Sequence, residues 1–212
     1  MAKARLFSTS RIYAITPDEP DTETLLAKTE AILHAGIGML QYRNKAASKQ
    51  LRALQADALK SLCAAYQVTF VINDHIELCE ALDADGVHLG GTDGDITAAR
   101  GRLGADKIIG ASCYNQLELA QKAQAAGASY VAFGACFPSG TKPNAAKADL
   151  SLFQTQLDIP KVAIGGITLE NAHLLQAADA VAVINALYNA ENIAQATKEF
   201  NRLLEPRHHD IA

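Results

Sequence analysis

The sequence predicts an α/β fold, a closed (β/α)8 TIM barrel formed by residues 1–212 as a single domain, and three observations carry that prediction. Eight short, β-rich apolar runs recur along the chain. Longer amphipathic segments separate them, and polar residues gather where the runs end.

The first run, Arg11–Thr16 (RIYAIT), leads to a helix-compatible stretch at Thr22–Ala35, closed by Gly36. Gly38–Arg43 (GMLQYR) follows, then Ser48–Ala65, where Leu51, Leu54, Ala58, Leu62 and Ala65 recur at spacings of three and four to give one apolar face. Ser48 stands where an N-cap belongs. The third and fourth runs are Thr69–Asp74 (TFVIND) and Gly86–Gly90 (GVHLG), with only short segments after each. Lys107–Ser112 (KIIGAS) precedes a helix expected at Asn115–Ala126 with Asn115 as its cap. Gly104 and Gly127 are placed as C-terminal caps. Tyr130–Ala135 (YVAFGA), Lys161–Gly166 (KVAIGG) and Ala180–Asn185 (AVAVIN) complete the eight, and Glu191–Leu204 reads as the closing helix. Several runs are nearly continuously apolar, as in parallel strands buried on both faces. Residues 1–10 and 206–212 are expected to be flexible ends.

An open doubly wound sheet would call for a G-x-G-x-x-G turn after the first strand, and Thr16-Pro17-Asp18 is not one. A formal net charge of −4 argues against bulk attraction to nucleic acid or anionic lipid, so any phosphate must be held by specific residues. No apolar run is long enough to span a bilayer, and the first ten residues do not resemble a signal peptide. Cys63, Cys79, Cys113 and Cys136 lack the close pairing of a zinc or thiol-redox site. They read as reduced, mostly buried thiols of a cytoplasmic protein.

In such a barrel the strand ends converge on one rim. The polar groups placed there are Gln41-Tyr42-Arg43-Asn44-Lys45, Asn73-Asp74, Gly90-Gly91-Thr92-Asp93, Ser112, Ser139-Gly140-Thr141-Lys142 and Gly165-Gly166. Asp74 and Asp93 would face each other from adjacent strand ends. Two carboxylates so placed suit Mg2+, which takes few protein ligands and keeps sites for water and phosphate. Either could instead cap the short helix that follows it. Arg43, Lys45 and Lys142 on the same rim favour a metal–diphosphate site. Gly165-Gly166 either forms a plain tight turn or admits a phosphate to backbone N–H groups, aided by the dipole of a helix expected near Leu169. His88, between Val87 and Leu89, reads as a hydrogen-bonded interior histidine, and His75 as a helix start. No Ser-His-Asp or Cys-His arrangement is legible, so no covalent nucleophile is expected.

These motifs, in order from about residue 11 to residue 190, resemble thiamine phosphate synthase. The resemblance implies a transferase of thiamine biosynthesis that joins hydroxymethylpyrimidine diphosphate to a thiazole phosphate and releases diphosphate. It implies that the Gln41-Tyr42-Arg43-Asn44-Lys45 segment, Asn73, Ser112 and Lys142 hold the pyrimidine diphosphate. Arg43, Lys45, Ser112 and Lys142 would take the catalytic part, and Asp74 and Asp93 would bind magnesium. Ser139, Gly140 and Thr141, with Gly165, Gly166 and the Ile184-Asn185 turn, would hold the thiazole phosphate. The implied chemistry is a dissociative substitution, which needs no protein nucleophile. Asn185 stands where the family usually has serine, and Gly91 where glutamine is frequent. Ala177-Ala178-Asp179-Ala180 lacks the glycines common before strand eight, which is expected to reshape the thiazole-phosphate turn.

Two alternatives stand beside this reading, a thiazole tautomerase-like isomerase on the same fold and a non-catalytic sensor of a thiamine precursor. Asp74, Asp93, Lys142 and the full Gln41–Lys45 segment favour the synthase. The expected partners are the two phosphorylated small molecules, with no nucleic acid and no membrane, and self-association as a homo-oligomer is left open.

Overall fold

In the computed structural model, residues 6–90, 95–138 and 148–204 are described. Eight parallel strands close on themselves in chain order: β1 (Ile12–Ile15), β2 (Met39–Tyr42), β3 (Thr69–Asn73), β4 (Gly86–Leu89), β5 (Ile108–Tyr114), β6 (Tyr130–Phe133), β7 (Lys161–Ile164) and β8 (Ala180–Val183). The ladder closes fully, with one register shift in β5 between Ser112 and Tyr114 against β6, and β8 returns to β1 through Tyr13 opposite Ala182. The outer layer holds α1 (Thr22–Ala35), α2 (Lys49–Ala65), α3 (Ile76–Ala81), α4 (Ile96–Leu103), α5 (Leu117–Ala125), α6 (Asn185–Tyr188) and α7 (Ile193–Leu203). Short 3-10 helices at Leu150–Gln154 and Ala172–Leu175 stand where a barrel usually has full helices. Among the described residues no helix is long and apolar enough to cross a membrane.

Local chemistry explains the boundaries. The Asp21 side chain accepts from the Thr24 amide at 2.8 Å to start α1, Ser48 accepts from Leu51 at 3.1 Å to start α2, and Asn192 does the same for α7. Gly36 ends α1 at φ +93°, as expected of a left-handed cap. Asn115 is not a cap: α5 begins after Gln116, and the Asn115 side chain accepts from the Asp149 amide at 2.8 Å instead. No α-helix begins near Leu169. Asn171 folds back, its Oδ1 accepting from the Thr168 amide at 2.9 Å and its Nδ2 donating to the Gly166 carbonyl at 2.9 Å, and a 3-10 turn follows.

Two apolar layers hold the ring. The outer one packs helix faces, such as Leu25 and Ile32 of α1 and Leu59 of α2, onto the strands. Each such buried aliphatic contributes roughly 1.5–3 kcal/mol. The inner one fills the barrel with Tyr13, Ile15, Met39, Val71, Tyr130, Ala132 and Val162. Phe7 closes its lower end, its ring 6.2 Å from Tyr13 and edge-on to Tyr130 at 6.1 Å. Phe7 and Ser10 are therefore packed against the barrel within a stretch the sequence suggests is flexible, with Ser10 Oγ donating to Asn201 at 2.8 Å, while Ser8 and Thr9 are exposed. The rim where strands begin is tied by Arg11, whose guanidinium donates to the carbonyls of Leu175 and Ala178. The 177–180 segment lies on that rim, before β8, so it does not shape a turn at the opposite rim. All four cysteines are buried and none is in a disulfide.

Candidate active site

Alternation along β2 sends Gln41 into the barrel and Tyr42 outward to α2. The Tyr42 hydroxyl donates to Gln55 Oε1 at 2.9 Å, and Asn44 Nδ2 donates to the same oxygen at 3.1 Å and to the Glu19 carbonyl at 2.9 Å. Tyr42 and Asn44 thus line the cleft while their polar ends lock the β2–α2 connection. The next turn is clamped by Thr16, which accepts from the Arg43 amide and donates to its carbonyl, both at 2.8 Å. Asp18 accepts from the Arg43 guanidinium at 3.2 Å and from the Lys45 amide at 2.7 Å, which aims both cations across the rim.

Asp74 is the pivot of the opposite wall. It follows β3 with φ +62°, a left-handed backbone that non-glycine residues adopt only when held. What holds it is a bond from its amide to the His88 carbonyl at 2.8 Å and one from the Gly90 amide to Oδ1 at 3.2 Å. Oδ2 accepts from Asn73 Nδ2 at 2.6 Å and lies 3.6 Å from Lys45 Nζ. Tyr42, Asn44, Lys45, Arg52, Asn73, Asp74 and His75 enclose a cleft of about 210 Å³. Whole-ligand pockets run to roughly 300–1,000 Å³, so this wall accounts for one portion of a substrate. Burial and then the Arg52 charge hold the His75 imidazole below its ordinary pKa.

Ser112, inside β5, meets His88 Nε2 at 2.9 Å, and His88 Nδ1 meets the Tyr130 hydroxyl at 2.9 Å. Burial pushes His88 down to about 4, so the ring is neutral near pH 7. Gly165 and Gly166 both have positive φ, and a side chain on either would overlap the loop after β6 at Ala135 or at Phe137 and Pro138. Ile184 and Asn185 open α6 at the end of the neighbouring strand. Asp93, Ser139, Gly140, Thr141 and Lys142 lie outside the described residues. Among the described residues no three His, Cys, Asp or Glu side chains converge, so a metal beside Asp74 would draw on one or two carboxylates and on substrate oxygens. That oxygen-only, ligand-poor set fits magnesium and not zinc.

The model of the thiamine monophosphate synthase family matches residues 12–187. The chain belongs to the thiamine monophosphate synthase family. It is 57% identical to a thiamine-phosphate synthase of Methylobacillus flagellatus, over 91% of this chain and 94% of that one. A thiamine-phosphate synthase of Chromobacterium violaceum is 53% identical over 88% of this chain and 92% of its own. The solved thiamine phosphate pyrophosphorylase of Pyrococcus furiosus superposes with a TM-score of 0.81 at 33% identity, covering 92% of this chain and 95% of that one.

For this thiamine monophosphate synthase family member, sequence reasoning overlooked Arg52 and Asp18. Arg52 donates to the Ala47 carbonyl at 2.8 Å, its buried Nε has no hydrogen-bond partner among the described residues, and it faces the cleft. A readable signal existed: a cation in the first turn of α2 opposes the helix dipole, a local conflict that marks function. Asp18 carried no such signal, because its partners, Arg43 and Lys45, come from the turn after β2.

Proposed function

We propose that the chain joins hydroxymethylpyrimidine diphosphate to a thiazole phosphate, giving thiamine phosphate and diphosphate. The bond between the pyrimidine methylene carbon and the diphosphate oxygen breaks, its electron pair leaving with diphosphate. The thiazole nitrogen lone pair then forms the new carbon–nitrogen bond, with no net oxidation or reduction. The observation that carries this reading is the wall built from Lys45, Arg52, Asn73 and Asp74, with Arg43 held by Asp18 on the same turn as Lys45, where cationic donors outnumber the acidic groups beside them.

Arg43, Lys45 and Lys142 offset the negative charge that develops on the departing diphosphate. Asn73 orients the Asp74 carboxylate. Gln41 and Ser112 reach the pyrimidine from inside the barrel. Gly165, Gly166 and the Ile184-Asn185 turn, with Ser139, Gly140 and Thr141, hold the nonreacting phosphate that positions the nucleophile. Asp74 and Asp93 would hold Mg2+, which when bound supplies Lewis-acid neutralisation of the diphosphate oxygens. We also infer a cytoplasmic setting, in keeping with four buried cysteines outside any disulfide.

The test is diphosphate release measured with each precursor alone and with both, with and without magnesium. Release that requires both precursors and the metal is expected. Isomerisation of the thiazole alone, without metal, or binding without turnover, would overturn the reading.

A further inference from the structure

Five polar side chains cross the barrel interior in one hydrogen-bonded line. Gln41 Nε2 donates to the Tyr13 hydroxyl at 2.5 Å, and the Tyr13 and Tyr130 hydroxyls are 2.7 Å apart. Tyr130 reaches His88 Nδ1 at 2.9 Å, and His88 Nε2 reaches Ser112 Oγ at 2.9 Å. Gln41, Tyr13, Tyr130 and His88 are all buried, so an unpaired link would carry the full desolvation cost. Counting protons fixes the direction. Tyr13 already accepts from Gln41, so its single proton goes to Tyr130. The Tyr130 proton goes to Nδ1 of His88, which must be the bare nitrogen of a neutral ring. The ring proton therefore sits on Nε2 and is donated to Ser112. The ends are left with opposite polarity: the Ser112 hydroxyl proton points out of the line, and Gln41 Oε1 remains an acceptor at the other end.

Room for this line is built into the backbone. A Cβ on Gly110 would overlap the Tyr130 hydroxyl and lie 2.6 Å from His88 Nδ1. The Tyr130 and His88 rings are stacked, with centroids 5.6 Å apart, which holds the central link rigid.

We propose that Tyr13, Tyr130 and His88 are positioning residues, a one-way relay that holds Gln41 as an acceptor and Ser112 as a donor at the same time. An aminopyrimidine diphosphate needs that pair, because its ring amine donates and its diphosphate oxygens accept. This rests on the synthase reading above.

The decisive comparison is Tyr130→Phe in two backgrounds. In the otherwise unchanged protein it is expected to lower kcat about tenfold while the KM for thiazole phosphate stays put. In a background carrying both Gln41→Ala and Ser112→Ala the same change should cost less than about twofold, because the relay acts only through its two ends. Tyr13→Phe, which cuts the line one link earlier, should behave alike and serves if Tyr130→Phe folds poorly. Histidine 15N shifts should report the Nε2–H tautomer of His88 in the unchanged protein. A full tenfold loss in both backgrounds, unchanged kinetics for both phenylalanine variants, or an Nδ1–H tautomer would overturn the relay. Failure of the unchanged protein to release diphosphate would instead sink the synthase reading, and the tautomer measurement would still judge the relay.

Discussion

At the rim where strands begin, Arg100 gives its guanidinium to main-chain carbonyls, those of Gly104, Lys107 and Gly127 at 2.6–2.8 Å. Arg11 does the same on that rim for Leu175 and Ala178. At the opposite rim, among the described residues, Arg43 has one carboxylate contact, at 3.2 Å, and Arg52 has one carbonyl and a buried Nε with no hydrogen-bond partner. Identical side chains thus do different work. Where every donor meets a carbonyl, the arginine closes loop ends that would otherwise leave acceptors unpaired. Where donors are left over beside a cleft, they remain able to meet an anion. The acidic residues divide the same way. Asp85 and Asp179 accept from the Phe70 and Lys161 amides on the lower rim, while Asp74 is held in a strained backbone on the upper one.

The contrast makes separable predictions. Asp74→Ala should give the largest effect, lowering diphosphate release about a hundredfold, close to 2.7 kcal/mol of transition-state stabilisation. Steady-state kinetics with a magnesium titration checks it, and near-normal turnover would move Asp74 to the structural side. Arg11→Met should do the reverse. It leaves buried carbonyls unpaired, so unfolding should become easier by about 2 kcal/mol, or roughly 4–8 °C in Tm, with kcat per folded molecule unchanged. A kinetic defect in that variant would break the division between the rims.

The fold was legible because its signal is repetitive: eight β-rich runs alternate with caps such as Ser48 and Gly36, and each reinforces the others. The upper rim was legible because barrel topology alone brings the Arg43–Lys45 segment to Asp74, about thirty residues further on. Pairings decided in three dimensions were not legible. Asn115 looks like a cap until the Asp149 amide claims its oxygen. His88 could be read as an interior histidine, but its line to Gln41 needs Tyr13 and Tyr130 from two further strands. The packing of Phe7 was hidden because it sits in a polar, strandless stretch, and only closure of the barrel provides the hole it fills.

Arg52 tests the comparison most finely, because it has features of both rims. Its bond to the Ala47 carbonyl resembles the lower-rim pattern, and its place in the cleft resembles the upper. The buried Nε decides between them, since a structural arginine would not leave that donor without a partner. Removing it also removes an unsatisfied group, which limits the stability lost. Arg52→Met should therefore raise the KM for the pyrimidine diphosphate about tenfold, or 1.4 kcal/mol, and leave the KM for thiazole phosphate unchanged. Its Tm should fall by no more than about 2–4 °C, the equivalent of one ordinary hydrogen bond. Arg52→Lys should recover only part of the loss, since an ammonium restores the charge without the planar fork. A Tm drop as large as that of Arg11→Met, with both KM values unmoved, would place Arg52 with the lower-rim arginines.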